Sequence, residues 1–138
     1  MMPSQSIWMI RSSLLYLLLS VSVGTLILIH KVIAVHPFIW ALLPAHYEMA
    51  IWGWVVQLAM GTAYWMFPKK LSEPRRGPGW AGWLVFGFYN FGLMLLVITT
   101  LFQTHFFVSI ASRGLILSSI LIFAILMWQR IVTYRHHH

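Results

Sequence analysis

The chain has 138 residues, 60% of them hydrophobic and only 8% charged, with a mean hydropathy of +0.81. A small domain leaves much of its surface wet, so a water-soluble fold is excluded and lipid is the expected solvent. The net charge of +7 does not point to nucleic acid, because the basic residues flank apolar runs and do not gather on one helix face.

Four apolar segments follow in chain order, each near the roughly 20 residues that a membrane span needs. The first runs from about Ser12 to Ala34, the second from about His46 to Phe67, the third from about Trp80 to Phe107, and the fourth from about Gly114 to Thr133. In lipid the backbone must satisfy its own hydrogen bonds within each segment, so all four are expected to be helices. The expected fold is all-α: an integral membrane four-helix bundle forming one domain over residues 1–135. The N-terminal apolar run is too long for a cleavable signal, and His136 to His138 read as a tag remnant. The first connection runs from His36-Pro37-Phe38 to Leu43-Pro44, and its aromatics place it in the interface. Lys69 to Gly79 is a turn region rich in Pro and Gly. The third connection is short, near Ser109 to Arg113. Aromatic belts are expected at the ends, including Trp40, Trp65, Trp80, Trp83, Trp128 and Tyr134.

On this topology Arg11, Lys69, Lys70, Arg75, Arg76, Arg130 and Arg135 fall on one side, and only Lys31 and Arg113 on the other. A bias of seven to two predicts cytoplasmic termini. The histidines His30, His36, His46 and His105 then all fall at the outer face. With no cysteine in the chain, disulfides, thiolate metal sites and thioether-linked heme are excluded.

The face of helix two that carries His46 also carries Met49, Ala50, Gly53, Gln57, Met60, Gly61 and Tyr64, at spacings of three and four. Gly53 and Gly61 would let a flat group or another helix approach closely. The His105 face of helix three carries Leu101, Ile98, Met94, Asn90 and Gly87. Asn90 lies in mid-membrane and needs a partner, for which Gln57 is the candidate. Imidazoles on separate helices with an apolar slot between them suit non-covalent heme b better than a compact zinc site. Lys31 and Arg113 are placed to meet propionates, or to anchor in headgroups. Glu48 is expected to be solvated at the interface.

The string His46-Tyr-Glu-Met49, Gly53-Trp54, Gly61-Thr-Ala-Tyr64-Trp-Met-Phe-Pro68, then Pro74-Arg75, resembles the second helix of heme-copper oxidase catalytic subunits, a family that includes the nitric oxide reductases. The likeness covers roughly residues 36 to 100. In that family the helix begins at the outer face and its histidine is an axial ligand of the low-spin heme, a role the resemblance implies for His46. The family's catalytic subunits have about twelve helices. The helices that carry the remaining heme and copper ligands have no counterpart here, so dioxygen reduction by the family mechanism is not implied.

These readings converge on a b-type heme protein of a prokaryotic inner membrane, held by His46 and a second histidine and acting in electron transfer. His105 is the first choice for that second ligand, followed by His30 and then His36. The expected partners are the lipid bilayer, a quinol or other respiratory electron carrier, and a second copy in a homodimer. A gas-binding or quinol-linked enzyme at an open heme, and a cofactor-free subunit or assembly factor of an oxidase, are the alternatives. Without an inverted repeat or a mid-membrane charge, a transporter is the weakest reading.

Overall fold

The computed structural model describes residues 1–70 and 74–135, with side chains described through Val132. Part of the Lys69–Gly79 turn, the side chains of Tyr134 and Arg135, and the His136–His138 stub lie outside the described residues. Helix α1 spans Ser4–Val32. A short turn of helix, α2 (Phe38–Ala41), leads into the second span. That span is composite: α3 (Leu43–Glu48) runs into a π-helical stretch, Met49–Val56, which runs into α4 (Gln57–Met66). Helix α5 spans Gly79–Phe102 and α6 spans Phe106–Arg135. The fold is all-helical among the described residues. Ser4–Val32, Gly79–Phe102 and Phe106–Val132 are each long and apolar enough to cross a membrane.

Local chemistry fixes the ends. Pro44 sits in the first turn of α3, where its missing N–H costs no hydrogen bond. Phe67 is extended at φ −64° and ψ 148°, as a residue before proline must be, so Pro68 closes the span. Three boundaries differ from the sequence expectation. Helix α1 begins at Ser4 and not Ser12, because Ser6 and Met9 are buried against α4 and extend the packed stripe past Arg11. The second span begins at Leu43, one turn before His46. The third connection is Gln103–His105, not Ser109–Arg113: Gln103 takes a left-handed conformation at φ 48°, and its amide and that of Thr104 both close on the Thr99 carbonyl. No glycine or proline marks that turn, so periodicity runs straight through it.

The helices pack through small residues at heptad spacing. On α1 the buried positions include Ser6, Ser13, Ser20 and Ile27, and on α6 they include Ser112, Ser119 and Leu126. A seven-residue repeat keeps one seam facing its partner when helices cross at a shallow left-handed angle. Serine is small enough for backbones to close in, and its hydroxyl can bond across the gap. Ser6 Oγ donates to the Gly61 carbonyl of α4, and Ser119 Oγ donates to the Val85 carbonyl of α5 at 2.8 Å. Met9, Met60, Tyr64, Val85, Tyr89, Leu93, Leu96 and Ile116 fill the core between these seams. Outward-facing Leu18, Leu28, Phe91 and Trp128 are all more than 60% exposed, a surface suited to lipid.

Gly92 tests the closeness of the α5–α6 seam. A Cβ there would lie 2.9 Å from Leu115 Cβ and 3.0 Å from the Ser112 carbonyl oxygen, whereas one at Gly87 would meet nothing within 4 Å. Gly92→Val should therefore cost roughly 1–3 kcal/mol, the usual range for overpacking, and lower the thermal unfolding midpoint of the detergent-purified protein. Gly87→Val should leave that midpoint unchanged.

Candidate functional site

His46 is the best-organised of the histidines. It is half-buried at the α1–α3 crossing, and its Nδ1 lies 2.8 Å from the Ser20 carbonyl oxygen. A carbonyl can only accept, so Nδ1 carries the proton and the Nε2 lone pair is left open. Ser20 Oγ is 3.1 Å from the same Nδ1 and donates to the His46 carbonyl at 3.2 Å. Ser20 thus clamps both the ring and the backbone of His46. Gly24, one turn further along α1, is the floor beneath the ring: a Cβ there would come within 2.8 Å of His46 Cε1. A metal-binding imidazole is commonly held this way, with its distal N–H on a backbone carbonyl.

The other histidines are organised differently. His30 is buried at the end of α1 and stacks edge-on against Trp40. Its Nδ1 accepts the backbone amides of Val35 at 3.1 Å and His36 at 3.4 Å. His36 Nδ1 accepts the Phe38 amide at 3.1 Å. In both neutral rings the proton then sits on Nε2, so each serves as a loop cap with its lone pair engaged. His105 was expected on the last turn of helix three, on a face shared with Asn90. It lies instead in the α5–α6 turn with its side chain exposed, and its carbonyl accepts the amides of Val108 and Ser109. The structure does not bring His105 and His46 together on facing helices. Among the described residues no group of three or more His, Cys, Asp or Glu could hold a metal ion.

The helix-two face read from the sequence is the buried face: Met49, Gly53, Gln57, Met60, Gly61 and Tyr64 are all inside. It is α1 that fills the two glycine notches. A Cβ on Gly53 would strike Tyr16 at 2.5 Å, and one on Gly61 would lie 3.0 Å from Met9 and Ile10. The Gln57–Asn90 pairing expected from the sequence is present, with Gln57 Nε2 donating to Asn90 Oδ1 at 3.1 Å. Asn90 Nδ2 donates onward to the Phe86 carbonyl at 2.9 Å. The opposite, outer side of Asn90 opens on a cleft of about 470 Å³ between α1 and α5. Leu15, Tyr16, Leu19, Met49, Phe86 and Met94 line it, and Met49 is one turn from His46.

The charges at this end are also rearranged. Glu48 is not solvated: its side chain is 15% exposed and accepts from Arg113 Nη2 at 2.8 Å. Arg113 lies in the second turn of α6, not in a loop, and is engaged by that carboxylate. Lys31 remains an exposed cation at the end of α1.

Arg130 was counted from the sequence only as a topology signal. It is fully buried: Nη1 donates to the Tyr64 carbonyl at 2.9 Å, Nη2 donates to the Arg76 carbonyl at 2.7 Å, and the guanidinium carbon lies 4.4 Å from the Tyr64 ring centroid. It caps the end of α4 and ties down the following turn. Its place in an apolar helix, several residues from the chain end, was the available signal. The clamp residue Ser20 had a signal too, in the heptad Ser6, Ser13 and Ser20.

No family model matches the chain, and neither a curated protein nor a solved structure is significantly similar to it.

The tautomers are directly measurable. In neutral, ¹⁵N-histidine-labelled protein, His46 should show a protonated Nδ1 and an unprotonated Nε2, while His30 shows the reverse. Gly24→Ala should shift the His46 resonances, because the ring must move away from the new methyl group, and should leave those of His30 in place.

Proposed function

We propose that the chain is a membrane-bound b-type heme protein that holds iron through one imidazole, His46, and keeps the other axial position open to a small gas such as nitric oxide or dioxygen. The observation that carries this reading is the His46 Nδ1–H bond to the Ser20 carbonyl, which leaves the Nε2 lone pair uncommitted. The resemblance of the His46–Pro68 string to an oxidase heme-ligating helix agrees with it. Apolar walls suited to a porphyrin begin one turn away, in the α1–α5 cleft.

On this reading His46 is the single protein ligand. His30 and His36 spend Nδ1 on backbone amides, and His105 is exposed in a turn. This favours an open site over the two-histidine electron carrier expected from the sequence. Because Glu48 holds Arg113, Lys31 is the better candidate to meet a propionate. Bound heme would supply reversible gas ligation at iron. The chain itself would fix the imidazole through Ser20, seat the ring on Gly24, and exclude water with Leu19, Met49 and Met94. On the same reading, the seven-to-two charge bias puts His46 near the outer face of a prokaryotic inner membrane.

Hemin titrated into the detergent-purified protein should give a saturable Soret band near one heme per chain, high-spin when ferric and carbon-monoxide-binding when ferrous. His46→Ala should abolish the band, whereas His30→Ala and His105→Ala should retain it. A protein that gives no saturable band, or a band unchanged in His46→Ala, would sink the proposal and favour a cofactor-free subunit. A low-spin band lost in both His46→Ala and His105→Ala would restore the two-histidine site.

A further inference from the structure

We infer that the basic end of the bundle carries a built site for the headgroup of an anionic phospholipid. Between the end of α4 and the turn that follows lies an open recess of about 480 Å³, lined by Met1, Trp65, Met66, Phe67, Lys69 and Arg76 among others. The lining is divided. Trp65, Met66 and Phe67 belong to the end of α4, Met1 precedes α1, and the two cations come from the turn beyond α4. A phospholipid presents the same sequence of chemistry, acyl chain first and phosphate after.

Charge supplies the second argument. Seven of the nine Lys and Arg residues lie toward this end of the chain's helices, against one acid, Glu73, which falls outside the described residues. Even with that acid fully paired, an excess of six positive charges remains. The remaining carboxylate, Glu48, is bound to Arg113 at the opposite end of the bundle.

Arg76 is also fixed in place. Arg76 is held by its Nη2 bond to the Met1 carbonyl at 3.2 Å, and its own carbonyl is held by buried Arg130. Arg76 Nη2 and both Arg130 Nη atoms donate to neutral carbonyls, and the Nε of each is buried without a partner. Arg130 thus holds the backbone of a second cation, with no anion among the described residues hydrogen-bonded to either guanidinium. Lys69 is exposed and lines the recess with Arg76. A phosphate seated between Lys69 and Arg76 would provide the missing negative charge. Bilayer depth selects a lipid headgroup over free phosphate, because the recess starts where the apolar span ends.

The test is native mass spectrometry of the full chain released from detergent containing phosphatidylglycerol or phosphatidylcholine of matched acyl chains. Wild type should retain phosphatidylglycerol and not phosphatidylcholine. Lys69→Gln, a change at an exposed side chain, should reduce retention about fivefold, as expected for one cation near a membrane surface. Arg76→Gln should do the same. Arg11→Gln, an exposed cation over Trp8 outside the recess, should retain the lipid as wild type does. Equal retention of both lipids, or an equal loss in Arg11→Gln, would overturn the site in favour of diffuse charge attraction. Displacement of the bound lipid by excess inorganic phosphate would overturn the lipid assignment.

Discussion

Side-chain donors reaching the carbonyl oxygens of neighbouring helices hold this bundle together. A helix carbonyl already accepts one bond from its own helix and keeps a second lone pair. In lipid, apolar contact between helices gains little over contact with acyl chains, so those lone pairs become the specific glue. Ser6 takes Gly61, Ser20 takes His46, Tyr89 takes Trp52, Ser119 takes Val85 and Arg130 takes Tyr64. The His46 ring uses the Ser20 carbonyl in the same way. The serine bonds require two backbones close together, which Gly53, Gly61, Gly92 and the heptad serines permit, while Tyr89 and Arg130 reach across on longer side chains.

The same economy explains why the polar groups of the interior are arranged as they are. Gln57 and Asn90 satisfy one another and the Phe86 carbonyl, although Gln57 Oε1 has no hydrogen-bond partner. Arg130 is buried without any described carboxylate and is accommodated by two carbonyls and an aromatic face. Such a group is expensive to leave bare in a low-dielectric interior, so its surroundings are closely specified. His46 belongs to this pattern. Its orientation comes from a backbone carbonyl, and the side chain of Ser20 adds a second hold.

Much of this was legible in the sequence. Four apolar runs and their punctuation gave the helices, and the His46 face was read correctly because spacing of three and four survives even across the π-helical stretch. The Gln57–Asn90 pair was legible because a mid-membrane amide must find a partner. What escaped had physical reasons. The α5–α6 turn is made by Gln103 in a left-handed conformation within an apolar neighbourhood, so hydropathy carried helix three past it and took His105 along. The sorting of histidines by tautomer depends on which backbone groups face each ring, and no spacing rule contains that information. Arg130 and Arg113 read alike as charges. Only tertiary placement distinguishes a buried helix cap from the partner of Glu48.

The π-helical stretch at Met49–Val56 has a geometric consequence for how tolerant this span can be of change in length. Its wider turns consume extra chain between the half that carries His46 and the half that carries Gln57 and Tyr64. Deleting a single residue there would let the stretch close as an ordinary α-helix, because the extra residue is what the wider turns absorb, and the flanking segments would keep nearly their present phase. A deletion within the α-helical turns of Gln57–Met66 has no such slack and would turn the residues on either side by about 100° against each other. His46 and Glu48 would then be out of phase with Tyr64, so a change of one residue in length would be felt far more in α4 than in the π-helical stretch.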